Sequence, residues 1–270
     1  MTRRRGIIRE RVNYAIERIF EVVEREDLDV ITRALLKVFR TSRVEKPSDK
    51  WGVFNRLIMF AYGTTDARGV KQWEKVGRRV REGANPIPIL IPRLKTVLII
   101  RKDEDGNIET KREKVLVGFL LRDVFAVEDT EGAPLHITRG EIRKDVKEMP
   151  ELIKELATLT GSSYNLSTIE DQNRSLYEAI LTLMKRDGSL GGPEDEAVAE
   201  LTAAILAYVY CNHRIPLQRT KEYMKESSKL GFIAKLYNIK QLFERTEATF
   251  WDIVNEMVKI KKLRLVTSTA

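Results

Sequence analysis

Apolar residues recur at helical spacing along the first forty positions of the chain. One apolar residue every three or four positions, with charges on the opposite face, predicts amphipathic helices. A break near Asp29 divides residues 7–41 into two such helices. Their apolar positions are Ile8, Val12, Ala15, Ile16, Ile19, Val22 and Val23, then Val30, Ala34, Leu35 and Val38. The polar stretch 41–49 contains Pro47 and is predicted to be a loop.

The next apolar positions predict one buried helix and one amphipathic helix. Residues 51–62 are almost entirely apolar, so we expect a buried helix, and the turn-rich residues 63–69 form a loop. A second helix is predicted over 70–81 and ends at Gly83. Its apolar face consists of Val70, Trp73, Val76 and Val80.

Strand patterns replace the helical spacing after residue 85. Strands are predicted at 86–92, 96–101, 107–114 and 115–127. Asp105-Gly106 favours a hairpin between the second and third of these strands, and Glu131-Gly132 favours a turn after the fourth. Helices followed by a small, mostly antiparallel sheet indicate an α+β arrangement.

The second half of the chain is predicted to be mainly helical. Charged residues 138–150 are interpreted as a connection between two domains. Helices are predicted at 150–160, 171–186, 194–212, 217–243 (one helix or two) and 247–261, with a short strand at 164–169. The predicted fold class is therefore α+β, with helices and an antiparallel sheet in a domain of residues 1–140 and a mainly helical domain of residues 150–270.

The composition excludes several kinds of site. The 270 residues are 43% hydrophobic, which is enough for a real core. A single cysteine, Cys211, excludes an internal disulfide framework, and two histidines, His136 and His213, exclude a metal site built on a histidine pair four residues apart. The apolar runs are far shorter than the ~18 residues of a membrane span, and no signal core follows the basic N-terminus, so we expect a cytoplasmic protein. The high content of Lys, Arg and Glu is compatible with a thermophilic source.

The positive charge is concentrated in the first half. Residues 1–150 contain 32 basic and 24 acidic residues, whereas residues 151–270 contain 16 of each. Residues 51–100 alone contain 9 basic and 3 acidic residues. This asymmetry indicates a basic functional face on the first domain.

A basic groove with exposed aromatic rings is typical of proteins that bind single-stranded nucleic acid, because cations follow phosphates and rings stack on bases. The predicted nucleic-acid-binding residues are Arg68, Lys71, Trp73, Lys75, Arg78, Arg79, Arg81, Arg101, Lys102, Lys111, Arg112 and Lys114. Each cation alone is equally compatible with a solvated surface charge, and the apolar stripe around Trp73 favours core packing. Asn55 lies inside an apolar helix, where its amide needs partners and is predicted to tie the helix to a loop.

Motifs in the first half follow a fixed order. Their residues are Asn55, Leu57 and Ile58; Trp73, Gly77, Arg78, Val80, Arg81 and Gly83; Ile87, Ile89 and Pro92; Gly118-Phe119, Val124-Phe125, Val127, Thr130, Gly132 and Pro134-Leu135. Over residues 5–136 this order resembles the N-terminal domain of ArdC-type antirestriction proteins. The chain departs from the family at Gly83-Ala84-Asn85, where many members have Gly-Glu-Lys. The resemblance implies a domain that binds single-stranded DNA.

The second half resembles the zincin-like metallopeptidase domain of the same family, but without its histidines. In that family a His-Glu-x-x-His helix supplies two zinc ligands and a general base, and a downstream helix supplies the third ligand. Here the corresponding positions are occupied by Tyr177, Glu178 and Leu181 on the first helix and by Glu196 and Glu200 on the second. The resemblance therefore implies a degenerate domain with no catalytic residue, metal or cofactor. The three glutamates are interpreted as ordinary helix-face carboxylates.

Two hypotheses of different classes follow. In the first, the protein is a non-enzymatic, sequence-tolerant single-stranded DNA-binding protein with a role in mobile-element biology, DNA maintenance or antirestriction. In the second, it is a protein-interaction module that inhibits a restriction or defence enzyme through the helical C-terminal domain. Basic side chains that point in different directions would favour the second hypothesis. A nuclease or peptidase activity at an unrecognised metal site is a third alternative. The expected partners are single-stranded DNA and a protein, with no membrane; the oligomeric state stays open.

Overall fold

A computed structural model describes residues 2–36, 46–102, 108–135, 148–186 and 192–259. It confirms the α+β class, with helices before and after a small antiparallel sheet along the chain. The helices are α1 (Thr2–Glu24), α2 (Leu28–Leu36), α3 (Val53–Ala61), α4 (Val70–Glu74), α5 (Met149–Thr160), α6 (Ile169–Arg186), α7 (Pro193–Cys211), α8 (Gln218–Ser228) and α9 (Phe232–Lys259). The strands are β1 (Ala67–Arg68), β2 (Arg78–Val80), β3 (Ile87–Lys102), β4 (Ile108–Ala126) and β5 (Thr130–Gly132).

The first three helices pack their apolar faces into the core, as their spacing predicts. The chain reverses between α1 and α2 at Glu26, which has a φ of 52°. The Glu26 carboxylate accepts hydrogen bonds from the Leu217 amide at 3.2 Å and from Lys221 Nζ at 2.7 Å. Burial raises the pKa of Glu26, but these two partners outweigh it and lower the pKa below its usual value. The turn between α1 and α2 is thus fixed to the start of α8.

Asn55 joins α3 to the sheet. Its Nδ2 donates to the Leu90 carbonyl at 2.8 Å, and its Oδ1 accepts from the Leu90 amide at 2.9 Å. A side-chain amide that makes both bonds imitates the backbone of a neighbouring strand. The predicted tie to a loop is therefore a tie to β3, and it satisfies a polar group within an apolar helix.

Strands β3 and β4 form a long two-stranded antiparallel arm. Pairing runs from Ile87↔Val124 to Lys102↔Ile108, with one register shift between Arg93 and Leu94. The two shorter strands predicted on each side of the hairpin are thus continuous, and the predicted Asp105-Gly106 turn lies outside the described residues. Buried residues at the start of β3 anchor the arm in the core. From Ile91 to Leu98, every described side chain is exposed or half-buried.

The helix predicted over 70–81 is confirmed only for residues 70–74 and is wrong for the rest. Helix α4 ends at Glu74, Gly77 takes a φ of 72°, and the chain continues as strand β2. Strand β2 pairs antiparallel with β5, in the segment predicted to be a turn at Glu131-Gly132. A Cβ on Gly132 would lie 2.4 Å from the Gly77 carbonyl oxygen, so only glycine allows the two backbones to approach so closely.

Helices α5, α6, α8 and α9 surround α7, the most buried helix of the described chain. All its residues from Ala197 to Tyr210 are buried. Its neighbours include α6, α8 and α9, and α2 also contacts it, so helices of both halves share one apolar core. The predicted division into two domains places its boundary at 140–150, and residues 140–147 lie outside the described ranges.

Two further predictions in the second half are corrected. Residues 164–169 do not form a strand, because Asn165 accepts hydrogen bonds from the Ser167 amide and hydroxyl and Thr168 caps the start of α6. The division of 217–243 into two helices, which the sequence left open, lies at Leu230-Gly231, and the break predicted between 243 and 247 is wrong because α9 is continuous through it. Within the described ranges, none of the helices is long and apolar enough to cross a membrane.

Candidate functional site

Two of the predicted nucleic-acid-binding residues are buried, so they cannot be part of a DNA-binding surface. Arg68 is 3% exposed and forms a two-pronged ion pair with Asp66, whose side chain is inaccessible to solvent. The Arg68 guanidinium lies 5.0 Å from the centre of the Trp73 ring. Trp73 is fully buried, and its indole Nε1 donates to the Phe125 carbonyl at 3.0 Å. Both side chains stabilise the junction of β1, α4 and β4, and neither can reach a DNA strand.

Arg78 is also a structural residue. Its guanidinium donates to the Thr130 hydroxyl at 2.7 Å, the Thr130 carbonyl at 3.0 Å and the Ala133 carbonyl at 2.6 Å. Three of the guanidinium N–H groups therefore bind residues of the segment that contains β5, and few donors remain for a phosphate. The prediction of Arg78 as a phosphate ligand is therefore corrected to a role in holding β5 against β2.

Four other predicted cations of this segment are exposed. Lys71 and Lys75 lie on and just after α4, and Arg79 and Arg81 lie on and just after β2. Arg79 and Arg81 are two positions apart in extended backbone, so both side chains leave the strand on the side opposite to Arg78. Arg79 pairs with Glu131, whereas the other three make no ion pair with another described residue.

The arm adds cations on both of its faces. Cross-strand partners share a face, so Arg112 opposite Leu98 and Lys114 opposite Thr96 belong to one face. Lys95, opposite Val115, belongs to the other. Arg112, Lys114 and Lys95 are exposed. The other predicted arm residues, Arg101, Lys102 and Lys111, have described backbone in β3 and β4, but their side chains lie outside the description.

The predicted peptidase-like positions converge on a cleft between α6, α7 and the start of α8. Tyr177 is half-buried and lines the cleft, whereas Glu178 is exposed and Leu181 packs against the core. On α7, Glu196 is exposed and Glu200 is buried. The sequence-predicted residues are therefore partly brought together, with Tyr177 and Glu200 in the cleft and Glu178 outside it.

Glu200 caps helix α8. Its two carboxylate oxygens accept hydrogen bonds from the amides of Arg219 at 3.1 Å and Thr220 at 2.8 Å, and from the Thr220 hydroxyl at 2.9 Å. Burial raises the pKa of Glu200, and the hydrogen bonds from Thr220 and Arg219 oppose this effect. A carboxylate engaged in this way satisfies the free amides at the start of a helix.

Arg219, which the sequence analysis missed, lines the cleft. Its guanidinium lies 4.3 Å from the centre of the Tyr177 ring and 3.7 Å from the carboxylates of both Glu196 and Glu200. Its position in the sequence gives no local signal, because only the packing of α8 against α7 brings it to Tyr177. The three predicted side chains thus surround a cation that the chain itself supplies.

The described residues offer no metal site. Within the described ranges, no three histidine, cysteine or acidic side chains come together in a way that could hold a metal ion. His213 Nε2 lies 3.0 Å from Asn173 Oδ1, so its imidazole is engaged with an amide on α6. Tyrosine and leucine at positions 177 and 181 cannot replace imidazole ligands.

Comparison with known proteins gives structural matches only. No protein-family model matches the chain, and no curated protein matches it. The metal-free crystal structure of the antirestriction protein ArdC from the R388 plasmid is similar to the chain, with a TM-score of 0.40 and 16% identity over 88% of this chain and 97% of that one. The Mn(II)-bound crystal structure of the same protein gives a TM-score of 0.41 and 13% identity over 82% of this chain and 95% of that one.

Proposed function

We propose that the protein binds single-stranded DNA, in an antirestriction or mobile-element setting and without catalysis. The observation that carries the proposal is the set of exposed cations on α4, β2 and the arm. Lys71, Lys75, Arg81, Arg112 and Lys114 make no ion pair with another described residue, so phosphates would meet little competition from the chain's own carboxylates.

The arm supplies the length that a strand-binding surface needs. Its exposed part includes Ile91 to Leu98, which corresponds to about 25 Å at the rise of an extended strand. Arg112 and Lys114 are two positions apart on one of its faces, so a flexible strand can follow them. With Trp73 buried, contacts to phosphates supply most of the affinity, and binding is sequence-tolerant.

The absence of catalysis is proposed from the residues at the peptidase-like positions. Tyr177 and Leu181 cannot bind zinc as imidazoles do, and Glu200 caps a helix. The Arg219 guanidinium beside Glu196 and Glu200 also opposes a second cation there.

The test is fluorescence anisotropy with a labelled single strand of about 25 nucleotides and its duplex, across a range of salt concentrations. The exposed predicted cations are these five and Arg79. If each of the six neutralises one phosphate, log K falls with log salt at a slope of about −4. The variant Lys71→Ala/Lys75→Ala/Arg81→Ala should reduce that slope by about 2.

The matched control is Lys154→Ala/Lys185→Ala/Lys225→Ala, which removes the same charge from exposed positions on α5, α6 and α8. It should leave the slope unchanged. Equal or tighter binding to the duplex, or equal effects of the two triple variants, would contradict the proposal.

A protein partner is the second candidate, because the arm carries cations on both faces and exposes apolar side chains. Leu94 and Leu98 lie on one face and are 52% and 57% exposed. A single strand cannot follow both faces at once. If neither oligonucleotide binds, this candidate predicts that the protein inhibits a purified restriction endonuclease on a duplex that the protein does not itself bind.

A further inference from the structure

The cleft between α6, α7 and the start of α8 is large enough for a small organic molecule. Its volume is about 270 Å³, just below the range of drug-sized pockets. One wall is apolar and consists of Ala203, Ile215 and Pro216. The facing residues of α6 are polar, and Arg219 reaches in from α8. A ligand in this cleft therefore meets an apolar surface on one side and polar groups on the other.

The polar side of the cleft is rich in hydrogen-bond donors. Arg174 is exposed and makes no ion pair with another described residue. Arg219 is 3.7 Å from its carboxylate neighbours, beyond hydrogen-bond distance, so its N–H groups retain donor capacity. Asn173 Oδ1 is engaged by His213 Nε2 at 3.0 Å, which leaves the Asn173 NH₂ group as a donor. Two guanidinium groups and an amide therefore line the cleft with N–H groups that donate no hydrogen bond to another described residue.

The two carboxylates that line the cleft do not accept hydrogen bonds from these N–H groups. Glu200 already accepts three hydrogen bonds from the start of α8. Glu170 lines the mouth of the cleft and is exposed to water. Formal charges in the lining balance, with Arg174 and Arg219 against Glu170 and Glu200. Glu196 and Glu200 already offset the charge of Arg219, whereas Arg174 makes no ion pair with another described residue. One such cation suits a ligand with a single negative charge better than a phosphate dianion, which the carboxylates repel more strongly.

We propose that this cleft binds a small organic monocarboxylate. The carboxylate group lies among Arg174, Arg219 and Asn173, and the apolar body of the ligand covers the wall of Ala203, Ile215 and Pro216. Guanidinium groups suit this role because their planar N–H forks match the two oxygens of a carboxylate. The site is separate from the cations of α4, β2 and the arm, so it does not depend on strand binding.

The test uses isothermal titration calorimetry on the full chain with three probes: 3-phenylpropionate, the uncharged 3-phenylpropionamide, and inorganic phosphate. The carboxylate should bind at least tenfold more tightly than the amide or phosphate. Arg174→Gln should weaken its binding by about tenfold or more, because a charge-assisted hydrogen bond is lost. Since Arg174 makes no ion pair with another described residue, this variant should remain folded, and circular dichroism checks that it does.

The matched control is Lys185→Gln, which removes an exposed cation from the same helix at a position that does not line the cleft. It should leave carboxylate binding unchanged. Failure of the carboxylate to bind, equal binding of the amide, tighter binding of phosphate, or equal effects of Arg174→Gln and Lys185→Gln would each overturn the proposal.

Discussion

Replacing Arg56 by methionine tests how much one buried guanidinium, which contacts both halves of the chain, contributes to the free energy of unfolding. Arg56 lies on α3 and is 3% exposed. Its Nε donates to the Ala34 carbonyl at the end of α2 at 2.6 Å, and another N–H donates to the Trp51 carbonyl. A third group pairs with Glu247 on α9 at 2.6 Å. Methionine fills similar space but makes none of these contacts.

The structure sets the expected loss of stability. Removing one partner of a buried ion pair costs roughly 3–5 kcal/mol, and a buried carbonyl without a donor costs about 1–3 kcal/mol. Because the Glu247 side chain is 22% exposed and can turn to water, the lower end applies. We expect Arg56→Met to reduce the free energy of unfolding by about 3 kcal/mol.

Urea unfolding followed by circular dichroism measures this loss. The matched control is Arg79→Met, which removes an ion pair whose arginine side chain is 81% exposed, and it should cost less than about 1 kcal/mol. A double-mutant cycle with Glu247→Gln should give a coupling energy, because the two side chains touch. Equal costs for Arg56→Met and Arg79→Met would refute the reasoning.

Two other substitutions probe the backbone at β5 and the cap of α8. Gly132→Ala should cost about 2 kcal/mol or more in urea unfolding, because the new Cβ meets the Gly77 carbonyl, whereas Gly52→Ala places its Cβ 4.0 Å from the Glu244 carboxylate, an ordinary contact, and should cost much less. Glu200 has a raised pKa when folded, so the wild type should lose stability as the pH rises from 4.5 through that higher value. The variant Glu200→Gln should not show this loss of stability with pH. The measurement is the urea midpoint of both proteins across this pH interval, and an equal loss in both would contradict a raised pKa of Glu200.

Periodicity was sufficient for the long elements but not for the short ones. The apolar repeat of α1 continues over many turns, and α7 is buried on every side from Ala197 to Tyr210, so the packing of both follows directly from their sequences. The segment 70–81 shows the limit. Val76 and Val80 fit a helical stripe, yet Gly77 takes a positive φ and β2 finds its partner fifty residues later in β5. Such a pairing depends on distant residues, so local pattern cannot detect it.

The candidate sites show the same limit at the level of side chains. Charge alone does not distinguish the buried Arg68 from the exposed Arg81, although Asp66 two positions before Arg68 offered a local sign of an ion pair. The sequence gives no local indication that Arg219 lines the cleft, because its position beside Tyr177 results from the packing of α8 on α7. Residue type predicted which groups could do chemistry, and tertiary packing decided which of them face solvent.

The arm also has a consequence for how copies of the protein behave at high concentration. Among the described strands, β1 pairs only with the end of β4, so both edges of the arm beyond Ile91 have backbone groups free to pair with another chain. Open strand edges with exposed leucines tend to aggregate. Arg93 and Lys95 on β3 and Lys114 on β4 repel an approaching identical edge, and the register shift at Arg93 breaks its regularity. Neutralising these cations would favour aggregation of the folded protein.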